Sequence, residues 1–299
     1  MMNVYEQVAQ NKFKSNLVLI LFVAFISLAV YAITYAFNLN DGFLMLAVGI
    51  SVISALGSYF YGDKMVIALN HARPATREEF FDFYTVTENL AMADELPMPK
   101  LYVIDTPAMN AFATGRDPQH ALVCATTGIL QRLNRTELEG VIGHELSHVK
   151  NYDIRLMMIV SLLIGTLSIL TNLAFRSSLF GGGRRRSNNS SDGEFGAILM
   201  IVGLVLAIFS PIIATLVQLA ISRRREYLAD ASSVKLTRQP SGLISALQKL
   251  ESDNIPFTQA SSATATLYIS NPFKDHKFSN LFSTHPPLED RIAALENML

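Results

Sequence analysis

Apolar and polar residues fall along this chain in long blocks. Four stretches hold no charged residue and reach the roughly 20 residues that a bilayer-crossing helix needs. They are Asn16–Phe37, Gly42–Gly62, Leu156–Phe175 and Gly196–Ser222. The first is too long for the apolar core of a signal peptide, and another follows it at once, so it reads as a retained anchor. The blocks divide the chain into an N-terminal transmembrane hairpin (1–62), a soluble segment (63–155), a second apolar pair (156–222) and a second soluble segment (223–299).

Charge orients these blocks. The short loop Asn38–Asp41 has no Lys or Arg, whereas Lys12 and Lys14 precede the first stretch and Lys64, Arg73 and Arg77 follow the second. The positive-inside rule then puts the N-terminus and residues 63–155 in the cytoplasm. The second pair is less simple, because its connecting segment 176–195 carries Gly181–Gly183, Arg184–Arg186 and a run of Ser and Asn. That composition suits a flexible linker, but its arginines oppose an outside location if both stretches span. Hydrophobicity favours spanning. The fourth stretch has 15 Leu, Ile, Val or Phe residues, worth about −5 to −9 kcal/mol for insertion. The third has 11, worth about −3 to −7 kcal/mol. A hairpin that docks on the soluble part or dips into one leaflet stays open as the alternative.

Within the soluble segments the pattern becomes shorter. Thr76 and Glu79 read as a capping box opening a helix to about Asp94. Three β-type runs follow, Lys100–Ile104, Asn110–Thr114 and His120–Ala125, set apart by Pro107 and the Gly115–Pro118 turn. A short helix near Gly128–Leu133 leads to a second capping box, Thr136 with Glu139. The helix it starts has an apolar side of Leu138, Val141, Ile142, Leu146 and Val149. Beyond residue 223 the pattern predicts helices at Arg224–Leu236, Gly242–Glu251 and Pro287–Met298, with Pro256–His285 as loop. The expected fold is mainly α, with four membrane helices and a cytoplasmic domain of helices on a small β-sheet.

Composition agrees with a membrane protein. Half the residues are hydrophobic, only 16% are charged, and mean hydropathy is +0.30. A net charge of −1 and a pI near 6.6 give no hint of nucleic-acid binding. The single cysteine, Cys124, excludes an internal disulfide. No acidic or basic residue lies inside an apolar stretch, which argues against a transporter.

The candidate chemistry sits on the helix after the second capping box. Residues 144–148 read His-Glu-Leu-Ser-His. Histidines four residues apart share a helix face and can hold one Zn²⁺, while Glu145 can act on a water at the metal as general base. A catalytic zinc usually takes three protein ligands. The extended pattern that would supply a third histidine six residues after His148 is absent, since Ile154 stands there. Asp153 is near in sequence, but on a continuing helix it points away from the His144/His148 face. Glu226 is the best remaining candidate. Spacing alone leaves it open between a metal ligand and a juxtamembrane carboxylate paired with Arg223–Arg225. Asp230, one turn on, could accept a hydrogen bond from the distal nitrogen of a zinc-bound histidine.

Three separated motifs, His144–His148, Glu226–Asp230 and Thr284–Arg291, together resemble the HtpX family. These are heat-shock-induced zinc endopeptidases of the bacterial inner membrane, related to the CAAX prenyl endopeptidases. The resemblance covers essentially the whole chain and implies a gluzincin-type peptidase domain. It also implies one Zn²⁺ per chain held by His144, His148 and Glu226, with Glu145 as base. It implies that Asn110, Ala111, Phe112 and Ala113 form an edge strand on which extended substrate pairs. His285 resembles a residue that stabilises the oxyanion, and Arg291 one that supports the site. His71, His120 and His276 have no such context. The implied substrates are misfolded or damaged membrane proteins, met at the cytoplasmic face of the bilayer. A second copy of the chain, or other membrane quality-control proteases, are the implied partners. A dedicated single-site processing protease and a metal-bearing scaffold are the competing readings.

Overall fold

The computed structural model describes residues 4–36, 42–163, 203, 223–258, 260–261, 264–272 and 286–298. Two long helices open the chain, α1 (Val4–Ala36) and α2 (Gly42–Leu69). A four-stranded sheet follows, made of β1 (Arg73–Pro74), β2 (Lys100–Ile104), β3 (Ala111–Thr114) and β4 (Leu122–Thr126). Its order is β1-β2-β4-β3, with β2 and β4 parallel and the other two pairs antiparallel. β4 is central and buried at every position, as its uninterrupted Leu-Val-Cys-Ala-Thr run requires. β3 is an edge strand.

Helix α3 (Phe81–Ala93) precedes β2, and α4 (Thr127–Arg132) leads from β4 into α5 (Arg135–Lys150), the helix that carries His144–His148. The later helices are Arg223–Thr237, Pro240–Ser252 and Leu288–Glu296. Only a single turn of 3₁₀ helix, Ala265–Leu267, breaks the described part of the expected loop 256–285.

Both capping boxes differ from the sequence expectation. α5 starts two residues earlier than a Thr136 cap would set it. Asn134 Oδ1 accepts the Glu137 N–H at 2.9 Å, and Glu137 returns an oxygen to the Asn134 N–H at 2.8 Å. Asn caps at least as well as Thr, so the box two residues earlier wins. Thr76 Oγ1 does receive the Glu79 N–H at 3.3 Å, but the Glu79 carboxylate turns to Arg73 instead, and α3 begins only at Phe81.

Close approach explains how α5 is held. A Cβ on Gly140 would lie 2.8 Å from the Leu243 backbone, and one on Gly143 would lie 2.8 Å from Ser233 Oγ. Ser233 Oγ also donates to the Gly140 carbonyl at 2.7 Å. These two glycines let the helices Arg223–Thr237 and Pro240–Ser252 press onto α5, which brings Glu226 beside the histidines. Gly140→Ala should therefore destabilise the protein by about 1–3 kcal/mol through overpacking, although alanine in an open helix would gain about 1 kcal/mol. Chemical denaturation of the two proteins measures the difference.

α1 and α2 pack in part on residues 153–163, which are helical. Val18 clusters with Leu156, Ile159, Val160 and Leu163. Gly62 of α2 lies against the Met158 and Leu162 side chains. Counting only described residues, no helix is long and apolar enough to cross a membrane. The described backbone of α1 is helical from residue 4 to 36 and that of α2 from 42 to 69, through the first two uncharged stretches. The third stretch beyond Leu163, and the fourth save for residue 203, fall outside the described residues, as does the 176–195 loop.

Candidate metal centre

α5 is buried along nearly its whole length, and its two histidines face one point. His144 Nε2 and His148 Nε2 lie 3.2 Å apart. Glu226, in the first turn of the helix Arg223–Thr237, brings one carboxylate oxygen to 3.6 Å from His144 Nε2 and the other to 3.6 Å from His148 Nε2. Among the described residues these three side chains form the one group of His, Cys, Asp or Glu able to share an ion. All three are buried.

Two further carboxylates aim the imidazoles. Asp230 Oδ1 sits 2.8 Å from His144 Nδ1, and Asp153 Oδ2 sits 3.1 Å from His148 Nδ1. Each Nδ1–H donates to its carboxylate, which leaves both Nε2 lone pairs directed into the same space. Two ring nitrogens 3.2 Å apart need a shared proton or a metal cation between them. The ligand atoms of tetrahedral zinc, at about 2.0–2.1 Å from the metal, are about 3.3 Å from one another. The observed 3.2–3.6 Å separations fit that ion.

Electrostatics follow from burial and neighbours. Burial, helped by the Arg291 charge, pushes His144 down to about 4 despite Asp230. It is a neutral imidazole, so its contact with Asp230 is a hydrogen bond and not an ion pair. Burial would also lower His148, but Glu226 and Asp153 outweigh it and hold His148 up at about 9. Proton and metal compete for the same nitrogen, so this negative pocket favours either cation, and metal binding expels the proton. Burial pushes Glu145 up to about 7, against the pull of His148. The backbone of Ala113 in β3 also opposes that rise.

Arg291 is completely buried behind the site. It grips Asp230 with two bonds, Nε to Oδ2 at 2.9 Å and Nη2 to Oδ1 at 2.6 Å. The Arg291 charge overcomes the burial penalty on Asp230 and holds that carboxylate at about 2.

The structure thus brings His144, Glu145, His148, Glu226, Asp230 and Arg291 together. It also corrects the sequence reading of Asp153. That residue does not point away, because α5 ends at Lys150 and Tyr152 adopts φ +59°. The chain leaves the helical path there and brings Asp153 to His148. A bulky residue in the left-handed region is a genuine outlier, and sequence reasoning that extended the helix could not see it. β3 lies at the sheet edge, as expected for Asn110–Ala113, but part of its outer side is taken. The Ala111 carbonyl accepts the Ile269 N–H at 2.9 Å, and Asn110 Nδ2 donates to the Ser270 carbonyl at 2.9 Å. His285 lies outside the described residues.

The model of peptidase family M48 matches residues 79–299. The chain belongs to peptidase family M48. Its relatives place this M48 peptidase with the HtpX proteases. Protease HtpX homologs from Lactobacillus helveticus and Lactobacillus acidophilus are each 46% identical to it over 297 residues, covering 98% of this chain and 99% of theirs. The homolog from Streptococcus uberis is 43% identical over 295 residues, with the same coverage. Ste24p from S. mikatae shares the fold, with a TM-score of 0.51 at 22% identity, over 98% of this chain and 67% of that one. The M48 peptidase is therefore a metalloprotease, and its family implies a metal that the His144, His148 and Glu226 cluster suits.

Proposed function

We propose that this M48 peptidase is a zinc endopeptidase of the bacterial cytoplasmic membrane. It would bind one Zn²⁺ per chain and cut misfolded or damaged membrane proteins at the cytoplasmic surface. The observation that carries the reading is the buried His144, His148 and Glu226 cluster with Glu145, also buried, beside it but outside the ligand set. A scaffold that merely kept a metal would have no use for that extra carboxylate.

Zinc held there supplies a Lewis acid that polarises the scissile carbonyl and acidifies water. The chain's own residues do the rest. Glu145 takes a proton from the attacking water and passes it to the departing amide nitrogen. Its raised pKa suits both halves of that transfer. Asp230 and Asp153 fix the imidazole tautomers, and Arg291 keeps Asp230 ionised. Substrate would pair in extended form along the outer edge of β3 beside Ala113, by main-chain hydrogen bonds that read little sequence. His285, by the family resemblance, would meet the developing oxyanion.

Membrane seating is supported by the outer faces of α1 and α2. Phe13, Ile20, Met45, Ile53 and Tyr61 are large, apolar and more than half exposed. Large apolar side chains exposed along both helices favour a non-aqueous neighbour. The positive-inside rule then puts the site on the cytoplasmic side.

Chelator-treated, detergent-purified chain should leave unfolded casein intact and cut it at many bonds once Zn²⁺ is restored. Cleavage restricted to a single site in natural substrates would favour a dedicated processing protease. Zinc should also stabilise the fold. At 100 times its dissociation constant the gain is about 2.7 kcal/mol, read as a higher unfolding midpoint that Glu226→Ala does not share.

A further inference from the structure

We infer that Asn11, on the N-terminal helix α1, is a positioning residue for the metal ligand His148, acting through Asp153. The inference rests on the reading of His148 as a zinc ligand. Asn11 is 140 residues away in sequence from the turn it touches, yet it is buried against it. Both N–H groups of its amide are used there. One donates to the Asn151 carbonyl at 2.8 Å and the other to Asp153 Oδ1 at 2.7 Å. The second oxygen of the same carboxylate, Asp153 Oδ2, takes the His148 Nδ1–H at 3.1 Å. One carboxylate therefore bridges α1 and the metal-binding imidazole.

The turn itself is strained. Tyr152 sits at φ +59° between the two groups that Asn11 holds. Lys12, the next residue of α1, places its ammonium 4.1 Å from the Tyr152 ring centre. Strained backbone persists only where its surroundings over-determine it, and here two consecutive residues of α1 do so. Arg225 Nη1 waits 3.4 Å from Asp153 Oδ1. Without Asn11 that guanidinium is free to draw the carboxylate over, away from His148. The His148 Nδ1–H would then lose its acceptor, and the ring its fixed tautomer and direction. Seating of the N-terminal helix is in this way coupled to zinc affinity.

The test is the zinc dissociation constant of the full chain in detergent, measured by chelator competition. Asp153→Asn should weaken binding by about 10–100-fold, the range for carboxylates that orient a metal-bound histidine. Asn11→Leu, close in size, should weaken it by about tenfold, the lower end of that range. Asn11→Ala serves if the leucine variant does not fold. Asn16→Ala removes a neighbouring α1 contact, Arg155 Nη2 to Asn16 Oδ1 at 2.7 Å, without touching Asp153, and should bind zinc as the parent does. The double variant Asn11→Leu/Asp153→Asn should be no weaker than Asp153→Asn alone, because the two residues act in series. Wild-type affinity in the Asn11 variants, or losses that simply add, would overturn the inference while leaving the site intact. His148→Ala should lose zinc. If it does not, the reading of the site fails and the inference with it.

Discussion

Glu145→Gln is expected to lose cleavage by at least about 10²–10⁴-fold, the usual contribution of a positioned general base, while keeping a full complement of zinc. The substitution changes one oxygen to an amide and leaves side-chain volume nearly constant. Glu145 is not among the three side chains that converge on the ion site. Its carboxylate is instead raised to about 7 by burial. An amide at that place can neither take a proton from water nor return one to the leaving nitrogen. Parallel assays of casein cleavage and bound zinc separate this outcome from simple loss of the metal. Equal cleavage by the two proteins would remove Glu145 from the mechanism.

Arg291→Met is expected to destabilise the fold by about 3–5 kcal/mol, the cost of stranding one partner of a buried ion pair. The guanidinium is fully buried and holds Asp230 through two short bonds, with the Ile269 carbonyl at 3.4 Å from Nη1. Methionine fills similar space but leaves the Asp230 charge facing only a neutral His144. Arg291→Lys should not restore the parent, because an ammonium cannot reproduce the paired fork. Arg291→Met/Asp230→Leu should recover part of the loss in stability, since it removes the stranded charge, while zinc binding stays weakened for want of the His144 acceptor. Denaturant midpoints and zinc affinities of the variants test both halves. A single Arg291→Met variant as stable as its parent would contradict the argument.

Much of this centre was legible in the sequence because helices make spacing into geometry. The i, i+4 relation placed His144 with His148 and Glu226 with Asp230, and the structure shows both pairs facing one point. Strand positions were also legible to within two residues, because Pro107 and the Gly115–Pro118 turn punctuate them. What stayed hidden depended on the chain leaving a regular element. A helix continued past Lys150 carries Asp153 to the wrong face, whereas the left-handed Tyr152 breaks that helix. The Asn11 contact joins segments 142 residues apart, which no local pattern encodes. The same holds for Ile269 on the edge of β3. The close approaches of Gly140 to Leu243 and of Gly143 to Ser233 are equally non-local. The Thr136 capping box failed through a near-equal competitor, Asn134, two residues earlier.

The most direct test of the central claim is zinc content, by mass spectrometry, of the purified full chain beside Glu226→Ala and Glu145→Gln. One zinc per chain in the parent and in Glu145→Gln, with little or none in Glu226→Ala, is the expected result. Undiminished zinc in Glu226→Ala would contradict it and send the search for the third ligand elsewhere in the chain.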